Sequence, residues 1–339
     1  MEEAIDIVES LIAGAKPDEA ILANLKADLL RSRANAKLSQ GSCFGALQRY
    51  MVYGPEYISK ITLRNDALEG LTSEELLAKI RGLMGYEHEI LYYGPKTGKE
   101  LTASLGDHHK TAAELKPLEK KYPKTLEVEE NNVVLAQYDA KQLYFLQYSD
   151  RGEKFAKDDE PGLALYNEYF GGGMNSIVFQ EMREARGLAY SAQAFLASPY
   201  FIDGDYYYLA FIATQNDKMA QAIDAFDEII NDMPQSQAAF DIAKEAMINR
   251  LRTKRTVRDQ VLQSYLNDRD LGLEESLDRQ IFEAVQNMTL EDVKAVQEKW
   301  VKDRTYTYGI LGDIKDLDMK YLKGLGPVKT VTLEEIFGY

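Results

Sequence analysis

The chain has 339 residues, 45% of them apolar and 28% charged, with 55 acidic residues against 40 Lys plus Arg and a formal charge of −15. This is globular composition, which excludes disorder and collagen and, at roughly 100 to 200 residues per domain, points to two domains that each bury a core. The acidic field argues against a nucleic-acid partner, because the only concentration of basic residues runs from Arg250 to Arg258.

No run of about 18 apolar residues is present to cross a membrane as a helix. Met1 is followed by Glu2, Glu3 and Asp6, unlike the basic start of a secretory signal. The single cysteine, Cys43, has no intrachain partner, and no Cys/His spacing matches a structural zinc site.

From the N-terminus onward, the chain repeats itself at an offset of 218 residues, with Ala4-Ile5-Asp6 echoed by Ala222-Ile223-Asp224, Lys26 by Lys244, Gly54 by Gly272 and Gly94 by Gly312. With small insertions, Leu71-Thr72-x-Glu74 likewise matches Met288-Thr289-x-Glu291. Each copy reads as three helices, a short helix, a further helix and a strand. Thr72 with Glu75, and Thr289 with Asp292, have the spacing of helix starts. The first copy ends in a strand expected near 88 to 93, and residues 95 to 130, rich in Gly, Pro, Lys and Glu, read as a connector.

Strand signals then appear at 132 to 138 and 142 to 148, about a turn at Asp139-Ala140-Lys141. Helices are expected at 160 to 170 and 176 to 186, and strands at 189 to 197 and 206 to 214. The second copy follows with helices near 217 to 232, 235 to 254, 257 to 268, 274 to 286 and 289 to 300, and a strand at 305 to 311. In Tyr206-Tyr207-Tyr208, alternation sends Tyr207 to one sheet face and its neighbours to the other.

The fold class is therefore α+β, with repeated sandwich units of mostly antiparallel sheet and layered helices. The expected division is an incomplete, mostly helical first unit at 1–94, a connector at 95–130 and a complete unit at 131–339. Because the first copy lacks a strand-rich half, the chain is expected to be the C-terminal piece of a longer polypeptide.

Three histidines are present, His88, His108 and His109. His88 falls in the expected strand, where alternation turns Glu87 and Glu89 to the opposite face, and adjacent His108 and His109 read as solvated. Neither H-x-x-E-H nor H-E-x-x-H occurs, so no metal ligand is expected. Gly171-Gly172-Gly173 lacks the context of a phosphate loop and reads as a flexible break between helices that could serve a substrate chamber. The stretch after it contains a helix start at Asn175 or Ser176, Arg183, a stop at Gly187 and Tyr190 at the head of a strand. Spacing alone reads Arg183 as an exposed cation among acids and Tyr190 as packed in the sheet.

The run FGGGMNSIVFQEMREARGLAYSA resembles the glycine-break, helix and R-x-x-x-G-x-x-Y segment in the C-terminal half of the pitrilysin/insulinase family of zinc peptidases, the inverted-zincin group. The closing GPVKTVTLEEIFGY resembles the end of bacterial members. The likeness is sharp over 165 to 195 and holds in pattern elsewhere.

The resemblance implies the metallohydrolase fold of the pitrilysin and mitochondrial processing peptidase type. It also implies a catalytic, zinc-bearing N-terminal half, in the same polypeptide or a partner subunit, that this chain lacks. Arg183 and Tyr190 then correspond to the side chains that reach a peptide substrate near the scissile bond, and Gly171, Gly172 and Gly173 to the adjoining substrate-facing turn. The chain alone is expected to hold no cofactor and to be inactive. The alternative is a non-catalytic scaffold or binding subunit of the same fold. Under either reading the compartment stays open between cytoplasm and periplasm.

Overall fold

Strand-forming runs rich in Val, Ile, Leu and Tyr fall where the chain can bury both faces of a sheet, and the remaining periodic segments become helices around it. The structure, a computed structural model, describes residues 1–339 except the side chain of Asp259. The first part contains helices α1 (Glu2–Gly14), α2 (Glu19–Lys37), α3 (Gln40–Ile61), α4 (Asn65–Gly70), α5 (Ser73–Leu83) and α6 (Gly98–His108). Strands β1 (Asn132–Gln137) and β2 (Gln142–Lys154) follow, then α7 (Glu160–Phe170), α8 (Ile177–Phe179), β3 (Ser191–Ala197) and β4 (Asp205–Gln215). The rest comprises α9 (Met219–Asn231), α10 (Gln237–Thr253), α11 (Arg258–Asp270), α12 (Leu277–Val285), α13 (Leu290–Trp300), β5 (Thr307–Gly312), α14 (Met319–Leu325), β6 (Val328–Val331) and α15 (Leu333–Phe337).

Two compact units result, one of residues 1–36, 63–122 and 258–262, the other of 37–62, 123–257 and 263–339. The larger unit is built on a six-stranded sheet of order β3-β4-β2-β5-β1-β6. Pairing is antiparallel from β3 through β5 and parallel from β5 to β1 and from β1 to β6. This is the mostly antiparallel α+β sandwich that the sequence implies.

One sheet face carries Tyr206, Tyr208, Ala210 and Ile212 of β4 into a core shared with α7, α9, α10, α12 and α13. The other packs Leu146, Tyr148 and Leu209 under Cys43, Leu47 and Met51 of α3, with Ile336 of α15. Tyr207 lies on this second face, as alternation requires. Gly309 lets α3 sit close, since a Cβ there would overlap the sulfur of Met51.

Four of the expected elements and turns differ in the structure. The strands about Asp139-Ala140-Lys141 form but do not pair with each other, because β5 lies between them. The expected strand at 88 to 93 is absent; a lone bridge joins Tyr86 to Lys116, since a single strand without a sheet leaves its amides unpaired. The connector holds α6, started by a capping box in which Thr97 and Glu100 satisfy each other's backbone amides, a T-x-x-E signature present in the sequence but overshadowed by the surrounding Gly and Pro. The helix expected at 176 to 186 is instead one short α turn followed by a π-helical turn over Gln180–Ala185. The boxes at Thr72 and Thr289 are both present.

In the smaller unit, α1 is held by polar contacts. Glu2 binds Lys96 at 2.7 Å and also Ser104, Asp6 takes His108 at 2.9 Å, and Glu9 takes His109 at 2.7 Å. Ile223, Phe226, Ile229 and Ile230 of α9 are buried, whereas Ile5, Val8, Leu11 and Ile12, their counterparts at the 218-residue offset, are not. No helix among the described residues is long and apolar enough to cross a membrane.

Asp227 of α9 is pressed against the sheet, bonded by the Gln147 amide at 2.9 Å, and burial pushes its carboxyl up to about 6. The folded state therefore keeps a proton that the unfolded chain releases near pH 4, so this group costs stability as pH rises from about 4 to 6 and the cost persists above. Asp227→Asn is expected to raise unfolding stability at pH 7.5 by about 1–2 kcal/mol and to give no gain at pH 4. Urea denaturation at the two pH values checks this; an equal effect at both contradicts it.

Candidate functional site

β3 is an edge strand, and its outer edge is closed from within the unit. Asn167, near the end of α7, donates to the carbonyl of Leu196 at 2.9 Å and accepts from its amide at 2.8 Å, the two bonds a further strand would make. One residue past α7, Gly171 lies against the same edge. A Cβ on Gly171 would overlap the carbonyl oxygen of Ala194, and one on Gly172 would crowd the carbonyl of Asn167, while Gly173 faces open space. Gly171 is thus required by packing, whereas Gly172 and Gly173 are exposed.

Ser176 opens the next turn by accepting from Phe179 N–H, and its hydroxyl donates to Gly173 O at 2.7 Å. The π-helical turn that follows is closed by one carbonyl: Met182 O accepts from both Leu188 and Ala189, at 2.9 and 3.2 Å. Gly187, with φ of 59°, makes the reversal possible. Tyr190 N–H then bonds Ala213 O of β4 at 2.9 Å, which fixes the start of β3.

This backbone brings Arg183 and Tyr190 together. The Arg183 guanidinium lies 5.6 Å from the Tyr190 ring centroid and 5.0 Å from that of Phe179. Its ion pair with the neighbouring Glu184 is long, at 3.6 Å. Tyr190 is 70% exposed, and the Arg183 side chain is 44% exposed. The reading of Tyr190 as packed in the sheet fails, because the residue precedes the regular ladder and its ring faces solvent.

Arg186 is engaged differently. It binds Glu228 of α9 at 2.7 Å, and this bond drives the guanidinium above its usual range and the Glu228 carboxyl below. The pair ties the turn to α9. Phe179 was not among the residues expected from sequence, although its spacing of four residues before Arg183 was the available signal, since side chains so spaced meet on one helical face.

Chemically, the arrangement offers a guanidinium and a phenol side by side at an open surface, the guanidinium held by two ring faces and one long ion pair to Glu184. No group of three or more His, Cys, Asp or Glu among the described residues could hold a metal ion.

The family described as peptidase M16 inactive domain matches residues 97–247. No curated protein matches the chain. Among solved structures, a peptidase M16 inactive domain from Pseudomonas fluorescens is similar with a TM-score of 0.65 at 17% identity, over 87% of this chain and 71% of that one. The ferredoxin protease FusC in complex with Arabidopsis ferredoxin gives 0.66 at 13% identity, over 92% of this chain and 34% of that one. The periplasmic protease PqqL of Escherichia coli gives 0.64 at 14% identity, over 92% and 35%. The chain thus spans about a third of the length of these two proteases, and at such identities the likeness is one of fold.

Gly171→Ala is expected to lower unfolding stability by about 2–3 kcal/mol or more, and Gly173→Ala by less than about 0.5 kcal/mol. Paired denaturation curves check this; equal costs would remove the close approach of the glycine turn to β3.

Proposed function

With a peptidase M16 inactive domain across residues 97–247 as the premise, we propose that this chain is the substrate-closing, non-catalytic C-terminal half of a zinc metallopeptidase. It works with a catalytic N-terminal half, in the same polypeptide or in a partner subunit, and its substrate is a peptide. The observation that carries this reading is the Arg183–Tyr190 pair, stacked at 5.6 Å and open to solvent.

When a peptide bond is attacked, its carbonyl oxygen gains charge, and donors fixed in advance at that oxygen lower the barrier. Tyr190 supplies one O–H donor. Arg183 supplies a charge that cannot be lost and several N–H donors, aimed by the rings of Phe179 and Tyr190. Arg183 holds the substrate backbone, and Tyr190 contributes mainly as charge develops. The exposed Gly172 and Gly173, in the turn before the π-helical segment, are the part of the glycine break assigned to the same peptide.

A catalytic zinc needs about three protein ligands, and no group of three or more His, Cys, Asp or Glu among the described residues could hold one. No step of hydrolysis is assigned to this chain by itself. A ferredoxin-bound protease among the similar folds supports a polypeptide as the substrate class.

Adding an N-terminal half that carries H-x-x-E-H and following cleavage of a fluorogenic peptide tests the proposal. The wild-type chain is expected to restore zinc-dependent cleavage, and Tyr190→Phe and Arg183→Ala each to lower kcat/KM by about a hundredfold with circular dichroism unchanged. Identical rates for the three chains would end the catalytic assignment, and no cleavage with any of them would favour a scaffold.

A further inference from the structure

One end of the six-stranded sheet holds a cavity that the Arg183–Tyr190 pair leaves unused. Its volume is about 650 Å³, and it is lined by Lys141 and Gln142 at the start of β2, by Gln215, Asn216 and Asp217 at the end of β4, and by Asp316 after β5. The same end of β4 carries the turn that presents Arg183 and Tyr190. Thr214 donates to Leu188 O at 2.6 Å, Tyr190 N–H bonds Ala213 O, and Lys218 Nζ lies 3.5 Å from Gly187 O. Because β4 runs between β3 and β2, it has the turn on one side and the cavity on the other.

The lining calls for hydrogen-bond donors and positive charge. Asn216 is 9% exposed; its Nδ2 donates to Ala140 O at 3.0 Å and to Asp316 Oδ2 at 3.3 Å, while its Oδ1 has no donor. A buried acceptor left over in this way costs stability until a donor meets it. Asp217 and Asp316 add two exposed carboxylates, against Lys141 as the one cation in the lining. The formal charge of −15 on the whole chain draws cations in the same sense.

We infer that this cavity is a subsite for a basic side chain of the peptide, an inference that rests on the peptide-binding reading of Arg183 and Tyr190. Arginine suits it better than lysine, since its planar fork of donors serves carboxylates and an amide oxygen together. Neighbouring strands lie about 4.8 Å apart, so β2, two strands from β3, sets the cavity roughly 10 Å from the start of β3 across the strand ends. An extended peptide advances about 3.3 Å per residue, which puts the basic residue about three positions from the bond held at Arg183 and Tyr190.

Two measurements separate this subsite from the peptidase reading. In the first, the chain alone is titrated with an end-capped Ser-Ala-Arg-Ala-Ser peptide and with its citrulline twin, which keeps the shape without the charge, and followed by amide NMR. The arginine peptide is expected to shift the side-chain amides of Gln215 and Asn216 and to bind about tenfold more tightly than the citrulline peptide. Asp217→Asn and Asp316→Asn are each expected to weaken it about threefold and Lys141→Gln to strengthen it, with the citrulline peptide unaffected and circular dichroism unchanged. Equal binding of the two peptides, or binding unmoved by both aspartate substitutions, overturns the subsite. In the second, the chain reconstituted with the N-terminal half is given peptides in which the arginine is moved along the positions flanking the cleaved bond. The expected kcat/KM peaks with arginine about three positions away, and the aspartate substitutions flatten the peak. A flat profile in the wild type overturns the subsite and leaves the peptidase reading standing. Charge-selective binding without any cleavage supports the subsite and ends the peptidase reading.

Discussion

The candidate site rests on how the outer edge of the sheet is closed. An edge strand leaves a row of amides and carbonyls unpaired, and here the side chain of Asn167 takes both groups of Leu196 while Gly171 lies against Ala194. This closure holds the end of α7 against β3. The glycine turn and the π-helical turn that follow are then pinned between α7 and the start of β3. The double use of the Met182 carbonyl completes the turn and delivers Tyr190 beside Arg183. A π-helical turn places its side chains differently from an α-helix and often occurs at functional positions; in this chain it occurs where the cation is presented.

The two arginines of the turn divide the work. Arg186 is committed to Glu228, a charge-assisted bond that ties the turn to the packed helix α9. Arg183 is held by two aromatic faces and only a long, 3.6 Å ion pair to Glu184. That difference makes Arg183 the one suited to an incoming acceptor. Both sit in the short run Arg183-Glu184-Ala185-Arg186, and the tertiary partner of each separates them.

Most of the larger unit was legible because its elements carry strong periodicity. Ile223, Phe226, Ile229 and Ile230 recur at helical spacing and are buried in α9, and Tyr206 and Tyr208 alternate with Tyr207 as a strand requires. What was not legible depended on distant partners. The insertion of β5 between β1 and β2 is invisible to a local reading of the turn at 139 to 141. The pairing of His88 with His109 joins residues far apart in sequence through a segment expected to be a strand. Arg183 and Tyr190 are singled out by a resemblance, since spacing alone places the phenol in the sheet.

Arg183 and Tyr190 stand together at an open surface. Ring currents report this directly, because protons above an aromatic face resonate upfield. In spectra of the chain labelled at arginine, the Arg183 side-chain protons are expected upfield of exposed arginines that face no ring, and should move downfield in Tyr190→Leu. Arg183 signals that are unshifted in the wild type and unmoved by the substitution would mean the pair does not exist in solution.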